Sequence, residues 1–288
     1  TTGACPSGHQ INALKFSSDS RFLAISAPDA AGYRGGMSGE NGIVYIYNVK
    51  RGKQIFKIRD NYGTSSVDFS PDNKFLVTYS PFSIRYDEPK NDGIYNLETG
   101  EKVSSLTGSA FSPNGKFLAS NSGKVYNLET GGVEHEFSGG NCLAFSPDGA
   151  YMAIGGGGGW SGDSDIEIYS TKTGEKTGSI SFENMYNISD LAFSPDGKYL
   201  AASAKYTKQR EEYSKFATNI YDISTGNVVR SFGKGRNVTF SPDGKYIATT
   251  SGTSTLLYRT MFPAEEEDLT KKAISHPPAL SASINFKE

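Results

Sequence analysis

The chain is poor in the residues from which disulfide frameworks and metal centres are built. Its 288 residues include two cysteines, Cys5 and Cys142, and three histidines, His9, His135 and His276. Two cysteines exclude a disulfide framework and a cysteine-rich zinc site. The histidines lie far apart in the sequence and have no metal-ligand spacing, so His9 and His135 are interpreted as structural residues.

Long apolar runs and a large excess of either charge are also absent. No segment approaches the roughly 18 consecutive apolar residues that suggest a membrane span. The net charge of -2 and the isoelectric point of about 6.0 give no bulk attraction to nucleic acid or to acidic membrane surfaces. The chain starts at Thr1 without methionine, which is compatible with the removal of an upstream segment. A cytoplasmic location is favoured, and export to the periplasm or the extracellular space is the alternative.

Motifs for nucleophilic catalysis and phosphate binding are missing as well. The sequence has no GxSxG, and no Gly-Lys pair is followed by serine or threonine, which excludes a P-loop. The glycine-rich stretch at 155–165 does satisfy GxGxxG through Gly157, Gly159 and Gly162. A dinucleotide-binding loop must enter a helix, whereas the segment that follows, IEIYS, has the pattern of a strand. The stretch is therefore interpreted as a flexible loop that presents Trp160, the only tryptophan of the chain.

Acidic residues alternate at the end of the same stretch. Asp163, Asp165 and Glu167 occupy every second position, which is one way to surround a cation. They lack the glycine at the sixth position of an EF-hand loop. A metal site there is kept only as an alternative, and the sequence predicts a protein without metal or organic cofactor.

What the sequence does contain is an internal repeat. A pattern typified by FSPDGKYLAAS recurs at intervals of 34 to 53 residues, and its copies start at Phe16, Phe69, Phe111, Phe145, Phe193 and Phe240. Each copy has two short apolar segments separated by a turn sequence. Proline presets φ for a type I turn, aspartate can bond its own backbone, and glycine takes the left-handed position that follows. Ser20 and Asn73 replace this glycine in the first two copies, and Ser20 fits that conformation least well.

A second pair of strands is predicted after each copy. Each copy is followed by a strand that ends in a tyrosine and one further residue, and these strands are predicted at 43–48, 94–96, 124–127, 166–170, 219–222 and 256–259. A tight turn and a fourth apolar segment come next, as at 53–58, 101–106, 132–137 and 227–232. The apolar residues repeat with period two, and helical periodicity is almost absent. Four strands per repeat and six repeats predict an all-β protein with the β-propeller fold.

The repeats resemble those of the WD-repeat family. Residues 7–26, SGHQINALKFSSDSRFLAIS, are similar to the Gly-His opening, inner strand and hairpin of such a blade, and FSPDGKYLAAS with IYDISTG is similar to the body of another. The resemblance extends over nearly the whole chain and implies a propeller that acts in protein interaction. Tyr-Asn, Tyr-Ser, Tyr-Asp or Tyr-Arg replaces the Trp-Asp pair of the family, and Gly-His occurs only at Gly8-His9. The His–Ser–Asp–Trp hydrogen-bond set of the family is therefore complete in no blade.

These patterns predict one propeller domain over residues 1–288 with six four-stranded blades. The blades are expected at about 10–60, 61–107, 108–138, 139–182, 183–233 and 234–288. The alternating apolar residues at 279–286 are interpreted as an outer strand that completes the sixth blade, and the alternative is the first strand of an incomplete seventh blade. Residues 263–273 begin with proline and acids and end with lysines, which predicts a short helix.

Variation in length is concentrated on one face of the predicted propeller. The strands of a blade are named a to d from the axis outward. The a–b turn has a nearly constant length. The separation between the phenylalanine of a repeat and the glycine of its c–d turn, in contrast, ranges from 20 residues (Phe111 to Gly131) to 36 (Phe16 to Gly52). The additional residues belong to the b–c and d–a loops, which emerge on the same face. These loops contain residue types that are enriched at binding hot spots. The residues predicted to bind a partner are Tyr33, Arg34, Met37, Arg85, Tyr86, Trp160, Tyr206, Arg210 and Tyr213.

Three functions are compatible with this pattern. The first is a non-catalytic scaffold that binds a protein or peptide partner through the loop-rich face. The second is a structural subunit of a larger assembly, and the third is a propeller enzyme or a small-ligand or metal binder that uses the central channel. The predicted inner strands supply only two acids, Asp68 and Asp190, which is poor material for a metal site and favours the scaffold. Neither nucleic acid nor a membrane is expected as a partner, and the oligomeric state is left open.

Overall fold

Antiparallel β-strands form the regular structure of the chain. The computed structural model describes residues 13–28, 42–60, 66–80, 92–156, 165–181, 185–206, 215–232, 235–251 and 254–260. These residues contain 23 strands in six sheets, and none of them forms a helix that could cross a membrane. The fold is an all-β propeller with six blades, as the repeats predict. Two compact units divide the chain, Thr1–Glu136 and Phe137–Glu288, and each contributes three blades.

The first unit contains three four-stranded blades whose strands follow one another in chain order. Blade 1 consists of β1 (Ala13–Phe16), β2 (Phe22–Pro28), β3 (Gly42–Asn48) and β4 (Lys53–Asp60). Blade 2 consists of β5 (Ser66–Phe69), β6 (Phe75–Tyr79), β7 (Gly93–Asn96) and β8 (Lys102–Ser104). Blade 3 consists of β9 (Ala110–Phe111), β10 (Phe117–Ala119), β11 (Lys124–Asn127) and β12 (Val133–Glu136).

The second unit repeats this arrangement. Blade 4 consists of β13 (Cys142–Phe145), β14 (Tyr151–Gly155), β15 (Ile166–Ser170) and β16 (Lys176–Ile180). Blade 5 consists of β17 (Met185–Phe193), β18 (Tyr199–Tyr206), β19 (Lys215–Asp222) and β20 (Val228–Phe232). The described strands of blade 6 are β21 (Val238–Phe240), β22 (Tyr246–Ser251) and β23 (Ser254–Arg259). The predicted closing strand at 279–286 and the predicted helix at 263–273 lie outside the described residues.

Neighbouring blades within each unit pack through the apolar faces of their sheets. The first strands of the blades contact each other in chain order, β1 with β5 and β5 with β9 in the first unit, and β13 with β17 and β17 with β21 in the second. Ile46 of blade 1 and Leu76 of blade 2 are fully buried in one cluster, and Ile166 of blade 4 and Leu200 of blade 5 are fully buried in another. Burial of each such side chain stabilises the fold by roughly 1.5–3 kcal/mol. The faces of the sheets are covered by neighbouring blades within each unit. The segments that connect the strands therefore lie at the strand ends.

The connection between the second and third strands of blade 5 is shorter than the sequence predicts. The sequence predicts that the third strand occupies 219–222 and that Tyr206 belongs to a loop, but β18 continues to Tyr206 and β19 begins at Lys215. The additional ladder pairs are Ala204 with Ala217, Lys205 with Phe216, and Tyr206 with Lys215. Ala204 is fully buried in the core between blades 4 and 5, and its ladder partner Ala217 packs against the same core, which stabilises the longer hairpin.

Candidate functional site

The strands of a blade have two ends, and the long connections between the second and third strands of blades 1, 2, 4 and 5 all leave from the same one. In blade 1 the ladder pairs Phe22 with Asn48 at one end, and at the other end Pro28 pairs with Gly42, which also pairs with Asp60. The a–b and c–d turns therefore lie at the first end, and the b–c and d–a connections leave from the second. We call these the turn end (17–21 and 49–52 in blade 1) and the loop end (28, 42 and 60 in blade 1).

A hydrogen-bond network centred on a serine closes the a–b turn of every blade. The serine hydroxyl donates to an oxygen of the side chain two residues later at 2.6–2.7 Å, and it accepts the backbone N–H five residues later at 2.8–2.9 Å. The six pairs are Ser17–Asp19, Ser70–Asp72, Ser112–Asn114, Ser146–Asp148, Ser194–Asp196 and Ser241–Asp243. The sequence predicted that the aspartate bonds the backbone, whereas the part played by the serine is visible only in the structure.

Neighbouring a–b turns contact each other within each unit. A Cβ atom placed on Gly197 of blade 5 would lie 3.8 Å from Cδ of Pro147 in blade 4. The same contact joins Gly115 to Pro71 and Gly244 to Pro195. Between blades 1 and 2, Ser18 and Asn73 replace the proline and the glycine, and the backbone N–H of Ser18 donates to Asn73 Oδ1 at 2.9 Å. The turn ends within a unit therefore lie side by side, and the loop ends share the opposite side.

Hydrogen bonds within these turns lower the pKa of four aspartates, which are Asp19, Asp72, Asp148 and Asp243. The hydroxyl of Ser146 and the backbone N–H of Ala150 donate to Asp148 and lower the pKa of that carboxyl below its ordinary value. Desolvation raises the pKa of Asp19, but its hydrogen bonds, above all those from Arg21, outweigh this effect and lower the pKa to about 2. These carboxylates belong to the turns and are poorly suited to act as proton donors near neutral pH.

The two acids of the inner strands join neighbouring blades. Asp68 Oδ2 accepts the backbone N–H of Phe111 in the next blade at 2.9 Å, and Asp68 Oδ1 lies 3.3 Å from Nζ of Lys15 in the preceding blade. Asp190 Oδ2 accepts the backbone N–H of Val238 in the next blade at 2.8 Å. The acids that could have formed a metal site therefore connect the inner strands within their units.

Glu167 is the centre of a polar cluster on the outer strands of blade 4. Its carboxylate accepts hydrogen bonds from Lys176 Nζ at 2.7 Å, from the Tyr169 hydroxyl at 2.6 Å and from the Ser138 hydroxyl at 2.5 Å. These bonds, with that of Lys176 the strongest, lower the pKa of Glu167 to about 2. Both carboxylate oxygens are used within the cluster, so Glu167 serves the packing of β15 and β16.

Most residues predicted to bind a partner or a metal lie outside the described part of the chain. Tyr206 is the last residue of β18, at the loop end of blade 5, and Asp165 immediately precedes β15. The residues outside the described ranges are Tyr33, Arg34, Met37, Arg85, Tyr86, Trp160, Asp163, Arg210 and Tyr213. The strands that flank their segments are described, and each segment connects strands at a loop end. Within the described ranges, no three His, Cys, Asp or Glu residues are close enough to hold a metal ion.

Three of the d–a connections contain a glycine at the point where they pass close to the second strand of the blade that they enter. An added Cβ at Gly108, Gly140 or Gly235 would lie within 2.8 Å of atoms of that strand. The residue after this glycine donates its backbone N–H to a backbone carbonyl at the loop end of the second strand. These bonds join Ser109 to Ala119, Asn141 to Gly155 and Arg236 to Thr250. The loop ends of blades 3, 4 and 6 therefore carry a serine, an asparagine and an arginine at equivalent positions.

The loop ends of blades 5 and 6 also hold an aromatic–cation cluster that the sequence analysis did not identify. Lys205 and Phe216 are ladder partners, and Lys205 Nζ lies 5.6 Å from the centroid of the Phe216 ring. The guanidinium carbon of Arg236 lies 4.6 Å from the same centroid. Ser189 Oγ donates to the carbonyl of Arg236 at 2.6 Å and fixes its backbone. We call these three residues, Lys205, Phe216 and Arg236, the Phe216 cluster.

Comparisons with known proteins support the fold and give a partial family likeness. Residues 124–232, less than half of the chain, match the family model for Eukaryotic translation initiation factor eIF2A. The chain is similar to Kuenenia stuttgartiensis hydrazine synthase, with a TM-score of 0.70 and 15% identity over 94% of this chain and 84% of that chain. It is also similar to a protein of Bacteroides uniformis ATCC 8492 provisionally assigned as a 6-phosphogluconolactonase, with a TM-score of 0.59 and 18% identity over 85% of this chain and 80% of that one. No curated protein matches the chain.

These likenesses show the propeller fold without deciding an activity. At 15% and 18% identity the two solved structures share the architecture, and both are named for enzymes. The same fold supports binding and catalysis in different proteins, so the function must be inferred from the residues of this chain. Membership of the WD-repeat family stays a prediction.

Proposed function

We propose that the protein is a non-catalytic scaffold that binds a protein or peptide partner at the loop ends of its blades. The observation that carries this proposal is the contrast between the two ends of blades 1, 2, 4 and 5. The same serine network closes the a–b turn in all six blades, whereas the long connections are attached at the loop ends. Variable connections on a rigid frame are the usual basis of a binding surface.

The roles of the reactive side chains support binding over catalysis. Asp68 and Asp190 accept hydrogen bonds from the backbone of a neighbouring blade, and Glu167 is held by three donors. Cys142 is buried, and this burial raises the pKa of its thiol well above the ordinary value. A protonated, buried thiol is a poor nucleophile. The described residues therefore offer acids and a thiol with structural roles, which fits a scaffold.

Partner capture followed by hydrogen-exchange mapping tests this proposal. Immobilised protein would be exposed to an extract of its native source, and the captured partner would be purified and its Kd measured. In the complex we expect slower amide exchange at loop-end segments such as 42–44, 165–167 and 203–206. Exchange at turn-end segments such as 17–21 and 146–150 should be unchanged. Protection confined to the turn ends would contradict the proposal.

The enzyme alternative is tested directly on the purified protein. We expect 6-phosphogluconolactone, chosen from the name of one structural neighbour, to hydrolyse at the uncatalysed rate in its presence. Elemental analysis and an absorption spectrum should show no stoichiometric metal or organic cofactor. Hydrolysis proportional to protein concentration, or one equivalent of bound metal, would favour the enzyme.

A further inference from the structure

We propose that the Phe216 cluster binds acidic side chains of the partner protein. This inference rests on the proposed scaffold function and adds the chemistry of the partner at one position of the loop ends. Lys205 and Phe216 belong to blade 5 and Arg236 to blade 6, so the cluster lies where two loop ends of the second unit meet.

The first reason concerns the ion pairs of the two cations. Within the described residues, neither Lys205 nor Arg236 has an acidic group at ion-pair distance. The other arginines that lie over aromatic rings are engaged differently. Arg21 is ion-paired with the aspartate of its own turn, and the guanidinium of Arg230 donates to the carbonyl of Thr260 at 2.9 Å. The Phe216 cluster thus differs from these structural cation–aromatic contacts.

The second reason is the separation of the two charges. Lys205 Nζ and the Arg236 guanidinium lie 5.6 Å and 4.6 Å from one ring centroid, so the two cations are at most about 10 Å apart. Screening at physiological ionic strength acts over a length of about 8 Å, so their repulsion is only partly removed by salt. Carboxylates bound between them would offset this repulsion and form charge-assisted hydrogen bonds.

The third reason is that the backbone positions of the cluster are fixed before any partner arrives. The N–H of Arg236 donates to Thr250 at 2.8 Å, and its carbonyl accepts from Ser189 at 2.6 Å. Lys205 and Phe216 are paired within the ladder of β18 and β19. Groups held in this way lose less conformational freedom on binding, which favours affinity.

The chemistry of the cluster fits an acidic protein segment better than nucleic acid. The chain has a net charge of -2, whereas nucleic-acid-binding surfaces extend over many cations. Proteins that bind single strands also stack bases on open aromatic faces. The Phe216 ring is already in contact with two cations of its own chain. Two cations around one ring, on backbone positions that are already fixed, match a short acidic sequence.

Fluorescence anisotropy with defined probes tests the inference on the full chain. The first probe is a labelled peptide in which glutamate and glycine alternate, the second replaces each glutamate by glutamine, and the third is single-stranded oligouridylate RNA. We expect the acidic peptide to bind at least about tenfold more tightly than the glutamine peptide. The double variant Lys205→Gln/Arg236→Gln should lose at least about tenfold in affinity for the acidic peptide.

Two further variants control this result. Lys172→Gln removes one exposed cation from the c–d turn of blade 4, at the turn end, and should change the affinity by less than about twofold because distant surface charges are screened. Phe216→Leu keeps an apolar side chain but removes the ring that positions both cations, and it should weaken binding several-fold. Circular dichroism melting curves would establish that each variant is folded.

The possible outcomes separate this inference from the scaffold proposal. Equal binding of the acidic peptide to the parent and the double variant would overturn the inference. RNA binding that is tighter than peptide binding and lost in the double variant would overturn it in favour of nucleic acid. If a captured partner protects the loop ends but binds the double variant with parental affinity, the scaffold proposal stands and the role of the cluster is refuted.

Discussion

Short polar side chains that bond to nearby backbone groups determine how the turns of this protein close. In the c–d turn of blade 2, Asn96 Oδ1 accepts the backbone N–H of Glu98 at 2.8 Å and of Thr99 at 3.1 Å. Equivalent bonds are made by the side chains of Asn48, Asn127, Ser170 and Asp222. The residue after the tyrosine is therefore a short hydrogen-bond acceptor, which explains why asparagine, serine and aspartate alternate at this position.

The serine of the a–b turn should contribute measurably to stability. In Ser194→Ala the backbone N–H of Tyr199 and the half-exposed carboxylate of Asp196 lose their shared partner, the buried hydroxyl of Ser194. We expect the free energy of unfolding to fall by about 1–3 kcal/mol, because two hydrogen bonds of the hydroxyl are lost and each typically contributes about 0.5–1.5 kcal/mol. Urea denaturation would measure this change. Ser179→Ala, at an exposed position of β16, is the matched control and should stay within about 0.5 kcal/mol of the parent.

Ser20 offers a substitution that should stabilise the protein. Its φ is +57°, a left-handed conformation that glycine adopts at the corresponding position in four other blades. Ser20→Gly removes the steric cost of the serine Cβ, and we expect a gain of about 0.5–1 kcal/mol after the larger entropy of the unfolded glycine chain is included. Gly197→Ser in blade 5, where φ is +72°, is the reciprocal change and should destabilise. A loss of stability in Ser20→Gly would contradict this interpretation.

At the level of strands and hairpins, one deviation from regular geometry recurs. The register between the third and fourth strands shifts at the tyrosine in five blades, between Ile46 and Tyr47 in blade 1 and at the equivalent positions of blades 2 to 5. A glycine with positive φ follows in each turn, such as Gly52 at +58°. The outer strand is therefore joined through a bulged turn, a device that increases the local twist of the sheet.

The cluster around Glu167 should make the outer strands of blade 4 sensitive to acid. Its folded pKa is about 2 against an ordinary value of 4.5, so its stabilising contribution is present above about pH 4.5 and is lost as the pH falls toward 2. We expect Glu167→Gln to lower the free energy of unfolding by about 2 kcal/mol at pH 7. The difference between the parent and the variant should shrink between pH 4.5 and 2. A difference that does not change over this range would show that the carboxylate charge is not responsible.

The sequence predicts the local elements well and the contacts between blades poorly. Period-two patterning and turn residues gave β11 at 124–127 and β15 at 166–170 with the bounds that the structure has. The sequence predicted the third strand of blade 5 only at 219–222 and did not predict the pairing of Lys205 with Phe216, because the run of lysine, tyrosine and threonine at 205–207 hides the continuing alternation. The approach of Arg236 to Phe216 depends on how two blades pack, and no fixed spacing along the chain encodes it.

At the scale of the whole molecule, the propeller fold does not by itself determine the activity. Two proteins named for enzymes share this architecture at 15% and 18% identity. In the present chain the six a–b turns differ little, and the residue types suited to recognition lie in the segments attached at the loop ends. Changes that affect partner binding should therefore be found at the loop ends, and matched changes at the turn ends should be neutral.

Trp160 provides the most direct test of this asymmetry. It belongs to the glycine-rich connection between β14 and β15, which are joined at the loop end of blade 4. We expect Trp160→Ala to weaken binding of the captured partner by about 1–3 kcal/mol, as the loss of an aromatic interface anchor does. The free energy of unfolding of Trp160→Ala should stay within about 0.5 kcal/mol of that of the parent, so its thermal midpoint should change little. Calorimetry of the complex and thermal denaturation of the free protein would measure the two quantities.

Tyr151→Ala is the matched control for Trp160→Ala, because Tyr151 is an exposed aromatic residue beside the a–b turn of the same blade. We expect Tyr151→Ala to bind the partner with an affinity within about twofold of the parent, since surface substitutions away from an interface have small effects. Equal loss of affinity in both variants would show that the partner does not distinguish the two ends. Early unfolding of Trp160→Ala would show instead that this side chain packs against the blades, and the anchor would then have to be sought among the other loop-end residues.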